Sequence, residues 1–236
     1  MYHRPFKKRA VLSLFLFIII LPVAADAQKE VTAESLTDLT EGRTLIRAIR
    51  ELETIASPYL FEDFRSGYVT LENKVNSETL MMNYNIHKER VEFIQGSFAL
   101  SIKSGRLSGF EFTDEETRYL FRNGYEARRL TPDDFVRVLA EGPVTALLKY
   151  DVSFQQDVPT YGVATQQDRY TRSYRLFLKN NGEIERIRRL NERSILRAVD
   201  PFRDEMHSYI RQEQLDLSSS DDLQRFFQYY NTLFDE

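Results

Sequence analysis

VTALLKYDVSF, residues 144–154, decides the architecture. Val144, Ala146, Leu148, Tyr150, Val152 and Phe154 take alternate positions, with Thr145, Leu147, Lys149, Asp151 and Ser153 between them. A period of two sustained over this length is that of a β-strand with one buried face. Downstream, a loop at 155–168 leads into RYTRSYRLFLK (169–179), where Tyr170, Tyr174, Leu176 and Leu178 share a face. Asn180-Asn181-Gly182 then turns the chain, and EIERIRR (183–189) pairs back. Upstream, FVRVLAEGP reaches Gly142-Pro143, a second turn. The rhythm is that of consecutive antiparallel strands joined by tight turns.

The same alternation fills the preceding segment. In TLMMNYNI (79–86), Leu80, Met82, Tyr84 and Ile86 oppose Met81, Asn83, Asn85 and, next in line, His87. His87-Lys88-Glu89-Arg90 is a polar turn, followed by VEF, FALSIK (98–103), the Ser104-Gly105 turn, GFEFT (109–113) and TRYLFRNGY (117–125). Asn123-Gly124 is a hairpin signal, because both residues tolerate positive φ. The flanks change period. In GRTLIRAIRELETIASP (42–58), Leu45, Ile46, Ile49, Leu52, Ile55 and Ala56 recur at helical spacing until Pro58. SILRAV (194–199) reads as a short helix. Asp200-Pro201 reads as an N-cap with Pro at the first helical position, ahead of Phe202, Met206, Tyr209 and Ile210 on one face. Ser218-Ser219-Ser220 precedes a last helix carrying Leu223, Phe226, Phe227, Tyr230 and Leu233, with Asp221 and Asp222 at its positive end. The expected fold is α+β: a curved antiparallel meander of about seven to ten strands, flanked by an N-terminal helix and C-terminal helices. It forms a single domain over 41–236, with the sheet at about 67–190 and the C-terminal helices at about 193–235.

The N-terminus has a different logic. MYHRPFKKRA (1–10) is basic, VLSLFLFIIILPVA (11–24) is apolar, and Ala25-Asp26-Ala27 is a small-x-small site. That order is a secretory signal peptide at 1–27, its apolar run too short for the roughly 20 residues of a spanning helix. Residues 28–40 are polar and expected to be flexible. The chain has no cysteine, so it forms no disulfide, carries no lipid-modified cysteine and has no thiol chemistry. The expected location is the periplasm or the exterior. Without residues 1–27 the 32 cations become 28 and the 36 acids become 35, a net charge of −7. That balance disfavours nucleic acid as a partner.

SPYLFEDF after a helix, the hairpin LMMNYNIHKERVEF, FVRVLAEGPVTALLKY and the ending DLQRFFQYYNTL resemble a family of exported Bacteroidetes proteins with no assigned activity. The resemblance spans most of the chain after residue 27. It implies export and a mixed fold, and it implies no site.

Catalytic patterns are sparse. After residue 27 only His87 and His207 occur, far apart and without an H-E-x-x-H arrangement, so neither a metal nor a cofactor is expected. No G-x-S-x-G elbow and no glycine-rich phosphate loop is present. Glu62 and Asp63 in FEDF, and Glu111, Asp114, Glu115 and Glu116 in EFTDEET, are the material for a hydrolase with paired carboxylates. The concentrated field is basic. Arg169, Arg172, Arg175, Lys179, Arg186, Arg188, Arg189, Arg193 and Arg197 follow closely, interleaved with Tyr170, Tyr174 and Phe177 and diluted by Glu183, Glu185 and Glu192. Arg169, Arg172, Arg175, Arg186, Arg188 and Arg189 are the candidate contacts to an anionic membrane or glycan. The expected function is a non-catalytic module binding an envelope protein or small ligand. The alternatives are the carboxylate hydrolase and a structural subunit of an envelope assembly.

Overall fold

Eleven strands form one antiparallel sheet in the order β1-β5-β4-β3-β2-β6-β7-β8-β9-β10-β11. The computed structural model describes residues 31–45, 57–103, 105–113, 117–155, 169–200 and 202–234. The expected signal peptide, most of the expected N-terminal helix and the acids at 114–116 lie outside them. The strands are β1 (Thr40–Leu45), β2 (Arg65–Leu71), β3 (Leu80–Asn85), β4 (Arg90–Gln95), β5 (Phe98–Ile102) and β6 (Leu107–Thr113). They continue with β7 (Arg118–Arg122), β8 (Val136–Ala140), β9 (Thr145–Gln155), β10 (Arg169–Asn180) and β11 (Glu183–Ile187). The helices are α1 (Ala33–Leu36), α2 (Glu192–Ala198), α3 (Arg203–Glu213) and α4 (Ser220–Thr232).

Two meanders make the sheet. β2 to β5 zigzag one way and β6 to β11 the other, and they join where β6 pairs with β2. β9 and β10 run in unbroken register from Thr145↔Lys179 to Gln155↔Arg169. Their turn to β11 uses positive φ at Asn181 and Gly182, as a two-residue hairpin demands.

The sheet is rolled. β3 and β9 stand five places apart in the strand order, about 24 Å in a flat sheet. Yet Glu89, at the β3–β4 turn, lies 2.5 Å from the Lys149 ammonium on β9. Arg172 on β10 donates to the carbonyls of Tyr59 and Leu60, in the segment that leads into β2. His87 sits beside the rings of Phe154 and Tyr170. Inside the roll, Tyr84, Phe110, Phe121, Phe135 and Tyr150 form a continuous ring cluster, with Phe110 stacked on Phe121 at 4.6 Å. Burial of aromatic rings at alternate strand positions is the main driving force here.

Helix α4 closes the concave side over β8 and β9 with Leu223, Phe226, Phe227 and Tyr230. Ser219 caps it, its hydroxyl accepting from the Asp222 amide. Arg137, wholly buried on the inner face of β8, ties it down by donating to Tyr150, Ser220, Asp221 and Gln224. Its guanidinium lies 3.8 Å over the Tyr119 ring. The convex side of the same strands has its own small core. Leu120, Val136, Val138, Leu147 and Phe177 are covered by the 123–135 connection through Leu130.

Four expectations are corrected. Gly42–Leu45, expected to begin a helix, pair with β5 as part of strand β1, so sheet hydrogen bonds overrode the helical spacing. The segment expected to be flexible contains α1, and its Leu36 is fully buried. Asn123-Gly124 does not join two strands directly. The Gly124 amide donates to Pro132 and the Asn123 side chain to Leu107, which starts a long connection to β8. Asp200 does not cap α3, whose N-cap is Phe202 without a side-chain bond.

Candidate functional site

The 123–135 connection contains a tight turn that bears on the basic residues. Ala127 and Leu130 exchange backbone hydrogen bonds at 3.0 Å in both directions, leaving Arg128 and Arg129 as the two tip residues. Leu130 is the buried anchor, so both arginines are driven outward. Arg129 has φ +68, in the left-handed region that a bulky L-residue seldom adopts. A second cation fixes the turn from below. Arg175 on β10 holds Asp151 in a fork, at 2.5 and 2.7 Å, and donates its remaining Nη1 to the Arg129 carbonyl.

Beside this turn lies the convex face of β11. Arg186 pairs with Phe177, and Phe177 belongs to the convex core, so Arg186 projects outward on the same side as the turn. Alternation puts Arg188 with it. Arg128, Arg129, Arg186 and Arg188 line one groove of about 740 Å³, bounded also by Ile184 and Glu185. The Arg186 Nε is buried without a hydrogen-bond partner. Among the described residues, Arg128, Arg186 and Arg188 have no ion pair, and the groove has one carboxylate against four guanidiniums. Guanidinium forks match the paired oxygens of phosphate and carboxylate, which makes this an anion-binding arrangement.

The six expected contact arginines are therefore divided. Arg186 and Arg188 are in the groove. Arg175 is spent on Asp151 and the turn, so it positions the groove without facing it. Arg172 faces the other side of β10, opposite Val152, and is engaged by the Tyr59 and Leu60 carbonyls. Arg169 lies eight residues before Phe177 on β10, about 26 Å away along the strand. Arg189 is exposed just past β11. Arg128 and Arg129 were missed. Their signal was a doublet of arginines directly before Leu130 and Thr131-Pro132, which marks a turn tip beside an apolar anchor.

The carboxylates are arranged differently from a hydrolytic pair. Glu89 and Asp134 do come together, but on one ammonium: Lys149 Nζ is 2.5 Å from Glu89 Oε1 and 3.1 Å from Asp134 Oδ1. Lys149 is fully buried. Burial would raise the Asp134 pKa, but the Thr131 amide and hydroxyl and the Lys149 charge outweigh it and hold the carboxyl below the ordinary aspartate range. Beside them the Tyr84 hydroxyl is buried without a hydrogen-bond partner. Burial first, then the Glu89, Asp134 and Asp151 charges, push its pKa far up, so it stays protonated. Glu111 is clamped by Arg118 in a fork at 2.8 Å and by the Tyr68 hydroxyl at 2.7 Å. Glu92, buried, accepts from Tyr59 at 2.8 Å. Glu62 and Asp63 are exposed in the segment leading into β2. Neither histidine joins a metal-ligating group. His87 packs on rings, and His207 Nε2 is 3.2 Å from Glu192. Among the described residues no cluster of three or more His, Asp or Glu side chains could hold a metal ion. None of their helices is long and apolar enough to cross a membrane.

Comparisons with protein-family models, with curated proteins and with solved structures find no match for this chain.

Proposed function

We propose that this protein is an exported, non-catalytic binding module that docks on anionic lipid headgroups through the arginine groove. The observation that carries this reading is the convergence of Arg128, Arg129, Arg186 and Arg188 on one groove in a chain of net charge −4. The left-handed Arg129 supports it. A long cation held in a costly backbone conformation is the kind of local strain that accompanies function. Export rests on the basic, apolar and small-residue order of residues 1–27.

Carriage of a ligand inside the roll is less favoured, because the Tyr84, Phe110, Phe121 and Phe135 rings fill that space. The hydrolase alternative is also less favoured. The carboxylates that meet, Glu89 and Asp134, are neutralised by the lysine between them.

Each basic side chain near an anionic bilayer contributes about 1 kcal/mol at moderate salt. Four contribute about 4 kcal/mol, close to a thousandfold in partition. The test is sedimentation with phosphatidylglycerol vesicles against phosphatidylcholine vesicles. The protein should pellet with the first and not the second, and rising salt should release it. The R128A/R186A pair should lose about thirtyfold in partition. Equal sedimentation with both lipids, or an R128A/R186A variant that binds as the parent does, would sink the reading. A stoichiometric envelope protein that co-purifies and is retained by the variant would favour the structural-subunit alternative.

A further inference from the structure

We infer that the corner between α2 and α3 is a second anion site, suited to a compact dianion of the phosphate or phosphate-monoester class. It stands independently of the β11 groove, with different residues on different elements. The geometry begins with spacing. Arg193 and Arg197 are four apart on α2, and Arg203 and His207 are four apart on α3. Residues at that separation share a helix face, so each helix presents a basic pair. The two faces meet: Arg193, Arg197, Arg203 and His207 line one groove of about 660 Å³, together with Glu192 and the buried Leu196.

The corner is fixed from beneath. Ile195, Leu196 and Val199 hold the α2 side in the core, and Met206 and Ile210 hold α3. Above, His207 Nε2 meets Glu192 Oε1 at 3.2 Å and links the two helices. The basic pairs are therefore preorganised and do not depend on a ligand to bring them together.

The charges are left uncompensated. Among the described residues no side chain of Arg193, Arg197 or Arg203 makes a hydrogen bond or an ion pair. The one carboxylate in the groove, Glu192, is taken by His207. Asp204 and Glu205 follow Arg203 directly, and at that separation they leave its face of the helix. Arg197 also borders a neighbouring groove with Asp200, so Arg193 and Arg203 are the more committed pair. Three guanidiniums against one carboxylate leave two positive charges, which a dianion with several oxygens matches. Guanidinium forks bind such oxygens two at a time.

Calorimetric titration of the full chain, purified as its cells process it, with inorganic phosphate tests the site. Sedimentation of the R128A/R129A/R186A/R188A variant, in which the β11 groove is disabled, with vesicles containing phosphatidic acid asks whether the phosphate comes on a lipid. The expected result is a saturable phosphate site that persists in the R128A/R129A/R186A/R188A background, in which the α2–α3 substitutions are read. R193A and R203A should each weaken it about tenfold, and R193A/R197A/R203A should abolish it. The R128A/R129A/R186A/R188A substitutions remove any phosphate held by the groove and should leave the α2–α3 site intact, which separates the two. Binding of phosphatidic acid vesicles but not free phosphate, lost in the α2–α3 triple variant, assigns the site to a lipid monoester. No binding of either in the R128A/R129A/R186A/R188A background, or binding there that survives addition of the R193A/R197A/R203A substitutions, overturns the inference.

Discussion

Replacing Arg129 by glycine should make the protein more stable and a weaker binder. Arg129 holds φ +68, and a side chain in the left-handed region costs about 1–2 kcal/mol relative to the ordinary helical or extended regions. Glycine removes that cost, at an entropic penalty of about 0.5–1 kcal/mol from the looser unfolded chain. The net gain is about 0.5–1 kcal/mol, or roughly 1–4 °C in Tm for a chain of this size. Little else is lost on folding. The bond that fixes the turn runs from Arg175 to the Arg129 carbonyl, which glycine keeps, and the Arg129 side chain is exposed. Removal of one of the four groove cations should cut partition onto phosphatidylglycerol vesicles about fivefold. The assay is a thermal melt alongside vesicle sedimentation at matched salt. A merely structural arginine predicts a change in the melt alone, and a merely electrostatic one a change in binding alone. A variant that melts lower, or that binds vesicles undiminished, refutes the reasoning.

Three further predictions concern what holds the roll together. Arg137→Met should cost about 2–3 kcal/mol, discounted because its partner Asp221 is half exposed, and loosen α4. It strips a fully buried cation from Tyr150, Asp221 and Gln224, and hydrogen exchange in 220–232 should speed up as the melt falls. Lys149→Met should cost about 2–3 kcal/mol, less than a fully buried pair because Glu89 is half exposed. Partial rescue in K149M/D134N is the check that leftover carboxylates cause the loss. Asp134 sets an acid limit. Its carboxyl is held below the ordinary 3.8, so its contribution is whole above that value and is lost as the pH falls through its lower folded value. Chemical denaturation of D134N should show a flatter loss of stability in that acid window than the parent.

Much of the sheet was legible because its alternation is long. β9 carries a complete apolar face and β10 one interrupted at Arg172, and their register falls as the pattern requires. The roll was not legible. It depends on contacts such as Arg172 with Tyr59 and Lys149 with Glu89, between residues far apart in the chain that no local period can relate. Burial of charge was equally hidden. Lys149 sits in the polar phase of its strand and Arg137 between two valines, yet both are fully enclosed, because acids and hydroxyls from distant segments converge on them. At the candidate site the arginines of β11 stood within an evident basic run. Arg128 and Arg129 lay behind the Asn123-Gly124 signal, which suggested a two-residue hairpin and so concealed the long connection that carries them. β1 failed for the opposite reason: helical spacing began at Gly42, and pairing with β5 took the first residues.

The union of the two meanders through β2 and β6 has a consequence for biogenesis. Within each half, successive strands are neighbours in sequence, so most of the sheet assembles from low-contact-order hairpins. The exceptions are the β2–β6 seam, across which β3, β4 and β5 intervene along the chain, and the β1–β5 edge pair, across which β2, β3 and β4 intervene. As the polypeptide emerges from the ribosome or a translocation pore, the first half is complete while β2 still shows an open row of amides and carbonyls. That row stays available to a second nascent chain until residues 107–113 arrive. The interval before that arrival, more than the finished molecule, is where a holdase would find its work.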